Sequence, residues 1–167
     1  MRIIKTPWKN ELLELVSKSQ KSIKITSPFI KENICNDLLL AKPAHTKLEL
    51  ITSFKLANLY SGSLDLAAIE SVIHSHGIVR NYPKLHSKLY IFDDEKAIIT
   101  SGNLTNGGLL TNYEYGIFSS DIALVREAVN DFDSMLNNEK TGTVEQKHIE
   151  TVRQILANIP KSASLKL

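Results

Sequence analysis

The feature of this sequence that most restricts its fold is an alternation of strand-like and helix-like segments that ends in closely spaced strands. Strand-like patterns of apolar residues occur at 22–27, 47–53, 77–81, 86–92, 96–101 and 113–119. Helical periodicity occurs at 7–20, 31–41 and 63–75, in a segment that ends near 137, and in a last one that ends near 158. This order predicts an α/β domain with a mixed β-sheet that is flanked by helices on both faces.

Capping signals mark the starts of three of these helices. Thr6 precedes Pro7, and we expect the Thr6 hydroxyl to cap a helix in which proline occupies the first position. Ser120 or Asp121 is expected to cap the fourth helix. The segment Thr143–Gln146 has the pattern of a capping box and is expected to begin the last helix.

The composition excludes several classes of protein. Hydrophobic residues make up 43% of the 167 residues, which is too many for a disordered chain and enough for a real core. No apolar run approaches the roughly 20 residues of a membrane span, and residues 1–10 lack the apolar centre of a secretory signal. With Cys35 as the only cysteine, a disulfide framework is excluded and the cytoplasm is favoured. We expect a single domain at 1–159 and a tail at 160–167.

Charge is distributed unevenly along the chain. Residues 1–85 hold 12 Lys/Arg and 7 Asp/Glu, whereas residues 86–167 hold 8 and 11. The first part can therefore face a polyanion, although a solvated surface with a mild bias explains the same counts. The basic residues that suit a phosphate backbone are Lys18, Lys21, Lys24, Lys31, Arg80 and Lys84.

The stretch His86–Glu114 contains the residues that could take part in catalysis. In a strand, His86 and Lys88 share one face because side chains alternate with a period of two. The next strand leads into Ser101 and Asn103, and the glycine between them allows close approach of the backbone. We therefore expect an imidazole, an ammonium, a hydroxyl, an amide and the Glu114 carboxylate to meet at adjacent strand ends.

These groups suit the cleavage of a phosphodiester. His86 can attack phosphorus, while Lys88 and Asn103, with Ser101, can bind phosphate oxygens and stabilise the charge that develops on them. Glu114 can bind the second ring nitrogen of His86 and so fix its tautomer. Asp93 lies seven residues after His86 and therefore on the opposite strand face. We interpret Asp93 as structural and expect it to cap the turn 93–95.

Other histidines, glycines and the cysteine have simpler interpretations. His74 and His76 could ligate a metal, but no Cys or acidic cluster accompanies them, so a helix end is favoured. Gly107 and Gly108 are not followed by the Lys-Ser/Thr of a P-loop and indicate a turn. Cys35 is expected in the core. The sequence therefore predicts no metal site and no cofactor.

The motif in this stretch resembles that of the phospholipase D superfamily. His86, Lys88 and Asp93 match H-x-K-x4-D, and Ser101-Gly-Asn103 with Glu114 follow at the superfamily's spacing. The resemblance is to its single-motif, metal-independent bacterial endonucleases, which include catalytic domains of certain restriction enzymes. One departure is Thr100, where the family usually has glycine.

The resemblance implies a phospholipase D-like fold and a covalent phosphohistidine at His86. A second histidine would protonate the leaving oxygen. Because this chain has one copy of the motif, the resemblance implies a homodimer in which His86 from both chains meets at one active site. His86, Lys88, Asn103, Glu114 and Ser101 are then the catalytic set, with no metal or cofactor.

The substrate and partners stay open at this stage. DNA is favoured, with single-stranded DNA and RNA as variants, because no lipid-binding surface is visible and basic residues are available. A phospholipid phosphodiesterase is the alternative enzyme, and a non-catalytic nucleic-acid-binding dimerisation module is the alternative outside catalysis. No element is suited to reading bases, so sequence specificity would come from a separate specificity or ATPase domain or subunit, as in a restriction or defence enzyme.

Overall fold

The computed structural model describes residues 1–160. Within them the strands are β1 (Arg2–Lys5), β2 (Ser22–Thr26), β3 (Lys47–Thr52), β4 (Ile78–Asn81), β5 (Leu89–Phe92), β6 (Lys96–Thr100), β7 (Tyr115–Ser119) and β8 (Gly142–Thr143). The helices are α1 (Lys9–Lys18), α2 (Glu32–Ala41), α3 (Leu56–Tyr60), α4 (Leu66–His74), α5 (Ile122–Leu136) and α6 (Gln146–Asn158), with one π-helical turn at Gly107–Thr111.

The eight strands form one mixed sheet in the order β1-β7-β6-β5-β2-β3-β4-β8. Strands β2, β3 and β4 are parallel, as expected for strands joined through helices. The β5-β6-β7 meander is antiparallel, and β5 also runs antiparallel to β2. The predicted fold class, a mixed sheet flanked by helices, is confirmed.

Each face of the sheet has its own apolar core. On one face, buried residues of α1, α2, α4 and α6 pack on alternate residues of the strands, and Trp8 meets the ring of Tyr90 edge to face at 5.2 Å. On the other face, Val125 and Phe132 of α5 pack on Leu89 and Ile91 of β5. Because α5 covers only part of its face, the sheet beside it is left uncovered around β7 and β1.

Several short elements were not predicted: β1, β8, α3 and the π-helical turn, which takes the place of the turn expected at Gly107 and Gly108. The predicted strand 86–92 begins only at Leu89, because its partner β2 ends at Thr26 and Pro28 cannot extend the ladder. His86 and Lys88 therefore lie in the segment that leads into β5. The predicted tail lies outside the described residues from 161 onward.

Two predicted helix caps are wrong and one is confirmed. The Thr6 hydroxyl is used by the segment before β7: it donates to the carbonyl oxygen of Asn112, and α1 begins at Lys9 without a side-chain cap. The box of α6 is formed by Glu145 and His148, because Thr143 is held in β8. Asp121 caps α5 as expected, accepting from the Leu124 N–H at 2.9 Å.

Candidate active site

The candidate residues converge at one edge of the sheet, where β2 and β6 end and β5 and β7 begin. The antiparallel pairs β2–β5, β5–β6 and β6–β7 bring these ends side by side. A cleft of about 820 Å³ opens there, between the sheet edge and α5. His86, Lys88 and Ser101 line it. The predicted meeting of residues from neighbouring strand ends is therefore present within one chain.

Lys88 is held against His86. Its Nζ lies 3.4 Å from Nδ1 of the His86 ring and donates to the His86 carbonyl oxygen at 2.7 Å. Burial lowers the pKa of Lys88 below its usual value, and the nearby Glu114 carboxylate opposes that shift in part. His86 is exposed and Lys88 is half-buried. An accessible imidazole thus has a partly desolvated cation beside it, which strengthens the attraction for an anion.

Glu114 belongs to a hydrogen-bonded group on β6 and β7. The Ser101 hydroxyl donates to one of its carboxylate oxygens, and the Asn112 side-chain amide donates to the other at 3.3 Å. The Tyr115 N–H donates to the Ser101 hydroxyl at 3.1 Å. Among the described residues Glu114 has no hydrogen bond to His86, unlike the expectation from sequence; its hydrogen-bond partners are Ser101 and Asn112.

Asn103 is fixed through its side-chain oxygen. Ser27 Oγ and the Phe29 N–H each approach Asn103 Oδ1 at 3.4 Å, and within residues 1–160 the amide nitrogen has no partner. Ser27 also accepts from the Leu104 N–H at 2.9 Å, which anchors the loop to the end of β2. The amide N–H groups of Asn103 are therefore available as donors to an incoming oxyanion.

The loop around Asn103 is packed too tightly for a side chain at Gly108. A Cβ on Gly108 would overlap the backbone of Asn103, and one on Gly102 would overlap the carbonyl of Gly108. Beneath the loop, the buried Tyr90 hydroxyl donates to the Gly102 carbonyl oxygen at 3.0 Å. The π-helical turn that starts at Gly107 thus sets the position of Asn103, in keeping with the frequent placement of such turns at functional sites.

Asp93 lies at the far end of β5 from His86. Its carboxylate accepts from three successive backbone N–H groups, those of Gln20, Lys21 and Ser22, at 2.7 to 3.0 Å. Burial is the largest influence and acts to raise its pKa, but the three donors together outweigh it and hold the pKa below the usual value. The carboxylate therefore clamps the entrance to β2, and the turn 93–95 proposed from sequence is not the one it caps.

Most of the six basic residues singled out in the sequence are engaged by other groups of the chain. Four of them are committed to ion pairs within the chain: Lys18 with Glu14, Lys21 with Glu95, Lys24 with Asp94 and Asp133, and Lys31 with Asp65. Arg80 donates to Thr143 and Thr141. Lys84 is exposed and precedes His86 by two residues.

Other residues singled out in the sequence lie apart from this site. Cys35 is buried in the core, where burial raises the pKa of its thiol to about 12. His74 Nε2 donates to the side-chain oxygen of Gln146 at 3.1 Å. The described residues bring together no group of three or more His, Cys, Asp or Glu side chains suited to a metal. Among residues 1–160, no helix has both the length and the apolar character to span a membrane.

Sequence reasoning missed the residues that support the site from elsewhere in the chain. Thr26 contacts Ser87 at 3.1 Å and accepts from the Leu89 N–H, while Ser27 and Asn112 hold Asn103 and Glu114. Small hydroxyl residues at the end of β2 were the available signal. The carboxylates of Glu127 and Asp131 on α5, which line the cleft, had a weaker signal in their spacing of four on a helix.

Solved structures with the same fold are known. Nuc of Salmonella typhimurium, a phospholipase D family member, has a TM-score of 0.72 and 16% identity over 87% of this chain and 97% of that chain. Phosphatidylserine synthase of Haemophilus influenzae has a TM-score of 0.69 and 14% identity, over 93% of this chain and 42% of that one. TrmBL2, an archaeal chromatin protein with a novel mode of DNA binding, has a TM-score of 0.58 and 18% identity, over 86% and 55%. At these identities the likeness establishes the fold.

Family membership comes from the sequence itself. No curated protein matches the chain. A family model described as "Cardiolipin synthase, PLD-like domain" matches residues 12–136, which cover His86, Lys88, Asn103 and Glu114 and most of the sheet. Together with the matching fold, this places the chain in the phospholipase D-like family.

Proposed function

We propose that the protein is a metal-independent phosphodiesterase, most specifically an endonuclease that hydrolyses DNA through a covalent phosphohistidine. The observation that carries the proposal is the pairing of an exposed His86 with the partly desolvated Lys88 Nζ at 3.4 Å, in a cleft that Ser101 also lines. An imidazole supplies the nucleophile, and the ammonium supplies positive charge where phosphate oxygens become more negative.

The reaction divides into two displacements at phosphorus. His86 attacks, a bond forms between its ring nitrogen and phosphorus, and the bond to the leaving oxygen breaks. A second imidazolium gives its proton to that oxygen. Water then attacks the phosphohistidine, loses a proton to the same second histidine, and releases His86. Lys88 and Asn103 hold phosphate oxygens throughout. Glu114 would bind the second ring nitrogen of His86 through a remaining lone pair of its carboxylate, which requires the two side chains to approach each other.

The second histidine would come from a second copy of the chain. Each chain offers one histidine in the motif, and the uncovered sheet beside α5 exposes an apolar surface next to the cleft. This surface, the β1–β7–β6 face, consists of Ile3, Ile99, Tyr115 and Ile117, which are 68%, 48%, 49% and 43% exposed. Apolar surface of this kind is typical of a contact between proteins. A two-fold axis here would bring the two copies of His86 together.

The choice of nucleic acid as substrate rests on support outside the catalytic residues. Among proteins of this fold, TrmBL2 binds DNA and Nuc is a phospholipase D family member. A phospholipid phosphodiesterase is the second candidate: the family description names cardiolipin synthase, a phosphatidylserine synthase shares the fold, and the cleft has an apolar wall. A restriction or defence enzyme with a separate specificity or ATPase subunit is the setting that we expect for a nuclease of this kind.

Incubation of the protein with plasmid and single-stranded DNA in excess EDTA tests the proposal. Wild type should cleave, because no step requires a metal. The cleavage rate of His86→Ala should be lower by roughly 10²–10⁴-fold or more, the contribution that general acid–base catalysis makes. Vesicles of phosphatidylethanolamine or cardiolipin serve as the competing substrate. Cleavage that EDTA abolishes and Mg²⁺ restores would contradict the phosphohistidine. Lipid hydrolysis without DNA cleavage would favour the second candidate, and binding without turnover would favour a non-catalytic module.

A further inference from the structure

The cleft beside His86 has a second wall that the proposed chemistry does not use. Helix α5 lines it with apolar side chains of Leu124, Ala128 and Met135 and with the carboxylates of Glu127 and Asp131. Both carboxylates are exposed, and within residues 1–160 neither has an ion-pair partner. The opposite wall is lined by His86 and Lys88, which attract an anion.

This separation of charges decides how a substrate lies in the cleft. If the phosphodiester sits at His86 and Lys88, a group bonded to it must extend into the space of about 820 Å³ in front of α5. A further phosphate is disfavoured there, because it would approach two carboxylates. The occupant must therefore be an uncharged or amino-bearing part of the substrate, with apolar faces that can pack against Leu124, Ala128 and Met135 of α5.

A nucleoside fits this description. Its base has apolar faces, and carboxylates accept hydrogen bonds from exocyclic amino groups, as Asp and Glu do from N4 of cytosine. A carbonyl at the same position would instead face the carboxylate oxygens and be repelled. We propose that the cleft is a nucleoside-binding subsite in which Glu127 and Asp131 select an amino-bearing base next to the scissile phosphodiester. This inference rests on the proposed nuclease function and extends it to the choice of base.

The experiment compares oligodeoxycytidine with oligodeoxyuridine of equal length, which differ by the exchange of an amino group for a carbonyl oxygen. Rates are measured for wild type, for the double variant Glu127→Gln with Asp131→Asn, and for Glu150→Gln, an exposed carboxylate on α6 as the matched control. Bis(p-nitrophenyl) phosphate, a phosphodiester without a base, reports the chemistry alone.

Wild type should prefer oligodeoxycytidine, and the double variant should reduce the ratio of kcat/KM for the two oligonucleotides by about fivefold or more. Any change on bis(p-nitrophenyl) phosphate reflects the general loss of two negative charges, which is common to the three substrates and cancels in the ratio, and Glu150→Gln should behave as wild type. If the double variant changes kcat/KM by the same factor for both oligonucleotides, the subsite is overturned, because the loss of general charge repulsion affects every base equally. A wild type that hydrolyses neither oligonucleotide nor bis(p-nitrophenyl) phosphate contradicts the proposed function itself.

Two other occupants of the cleft predict different results. A phospholipid headgroup would be recognised through its ammonium, so the double variant would slow hydrolysis of phosphatidylethanolamine and leave the base ratio unchanged. A second copy of the chain filling the cleft would make the double variant change the sedimentation of the protein, again with no change in the base ratio. Either result overturns the nucleoside subsite.

Discussion

Among single residues, His86 and Asp93 illustrate how one motif can serve two purposes. They lie at opposite ends of β5, one exposed in the cleft and the other accepting hydrogen bonds from three backbone N–H groups. The motif's first and third letters therefore act in different places. His86 is the proposed nucleophile, whereas Asp93 stabilises the entrance to β2.

The substitution Asp93→Asn should lower the stability of the fold and leave kcat nearly unchanged. Loss of a charged acceptor is expected to lower the free energy of unfolding by about 1–2 kcal/mol near neutral pH. Because the folded-state pKa of Asp93 lies below its usual value of 3.8, this stabilisation is present above that value and is lost as the pH falls through the folded-state pKa. Urea unfolding near pH 7 and near pH 3 measures it.

The difference in the free energy of unfolding between wild type and Asp93→Asn should therefore be smaller near pH 3 than near pH 7. The kcat of the variant should stay near that of wild type. A difference of the same size at both pH values would show that the stabilisation does not depend on the ionised carboxylate of Asp93. A loss of kcat equal to that of His86→Ala would contradict the separation of the two residues along β5.

The meeting of the proposed catalytic residues could be predicted from the sequence because they lie close together in it, at a spacing that neighbouring strands convert into proximity. Residues that position them come from distant segments: Ser27 precedes Asn103 by 76 positions, and Thr26 precedes Ser87 by 61. Only the register of β2 with β5 brings them into contact. The engagement of Glu114 by Ser101 and Asn112, in place of His86, likewise depends on distances that a motif does not contain.

At the scale of elements, the π-helical turn has the clearest testable consequence. Gly108→Ala should displace the Asn103 loop, since the new methyl group would overlap the Asn103 backbone. We expect kcat to fall on the order of 10²-fold, as when one charge-stabilising donor is removed. Overpacking should also reduce stability by about 1–3 kcal/mol. Steady-state kinetics and urea unfolding measure the two effects.

Gly142→Ala is the matched control, because a Cβ there meets no atom within 4 Å. Its stability should stay within about 0.5 kcal/mol of wild type and its kcat should be unchanged. If Gly108→Ala keeps the wild-type kcat, the loop does not position Asn103 for catalysis.

The elements that were predicted are those in which burial of one or both faces gives the apolar residues a regular pattern in the sequence. β2, β3 and α5 bury one face or both, whereas β1 buries one residue of its four and β8 buries neither of its two, so neither strand has an apolar pattern. Their existence follows from long-range partners, as in the pairing of Ile3 with Ile117. The predicted start of β5 was too early for a related reason. An unpaired extended segment has the same sequence pattern as a paired strand, and the two are distinguished only by where the partner strand ends.

For the whole molecule, the proposed sharing of one active site by two chains predicts that activity depends on the square of the wild-type fraction in mixtures. Wild type mixed with excess His86→Ala should exchange into heterodimers that hold one reactive histidine, and these should be nearly inactive. Total activity should then fall as roughly the square of the wild-type fraction, because both copies of His86 are needed for one site. Activity against mixing ratio, after equilibration, is the measurement.

Sedimentation of Ile117→Lys provides the companion experiment, since this residue lies at the centre of the β1–β7–β6 face and is 43% exposed. A charge there should shift the protein towards monomer and reduce activity in proportion. A linear decline of activity on mixing, or a monomer that cleaves at the full rate, would show that each chain has a complete site.

The sheet order also governs how this chain can fold as it is synthesised. Among residues 1–160, β1 is synthesised before the other strands and pairs with β7 alone, and β2 obtains its second neighbour when β5 emerges. Until residues 115–119 are available, the nascent chain has open strand edges and no partner for its first segment. Pairings so distant in sequence are slow to form and expose apolar surface meanwhile. Folding must therefore be completed after most of the chain has been translated.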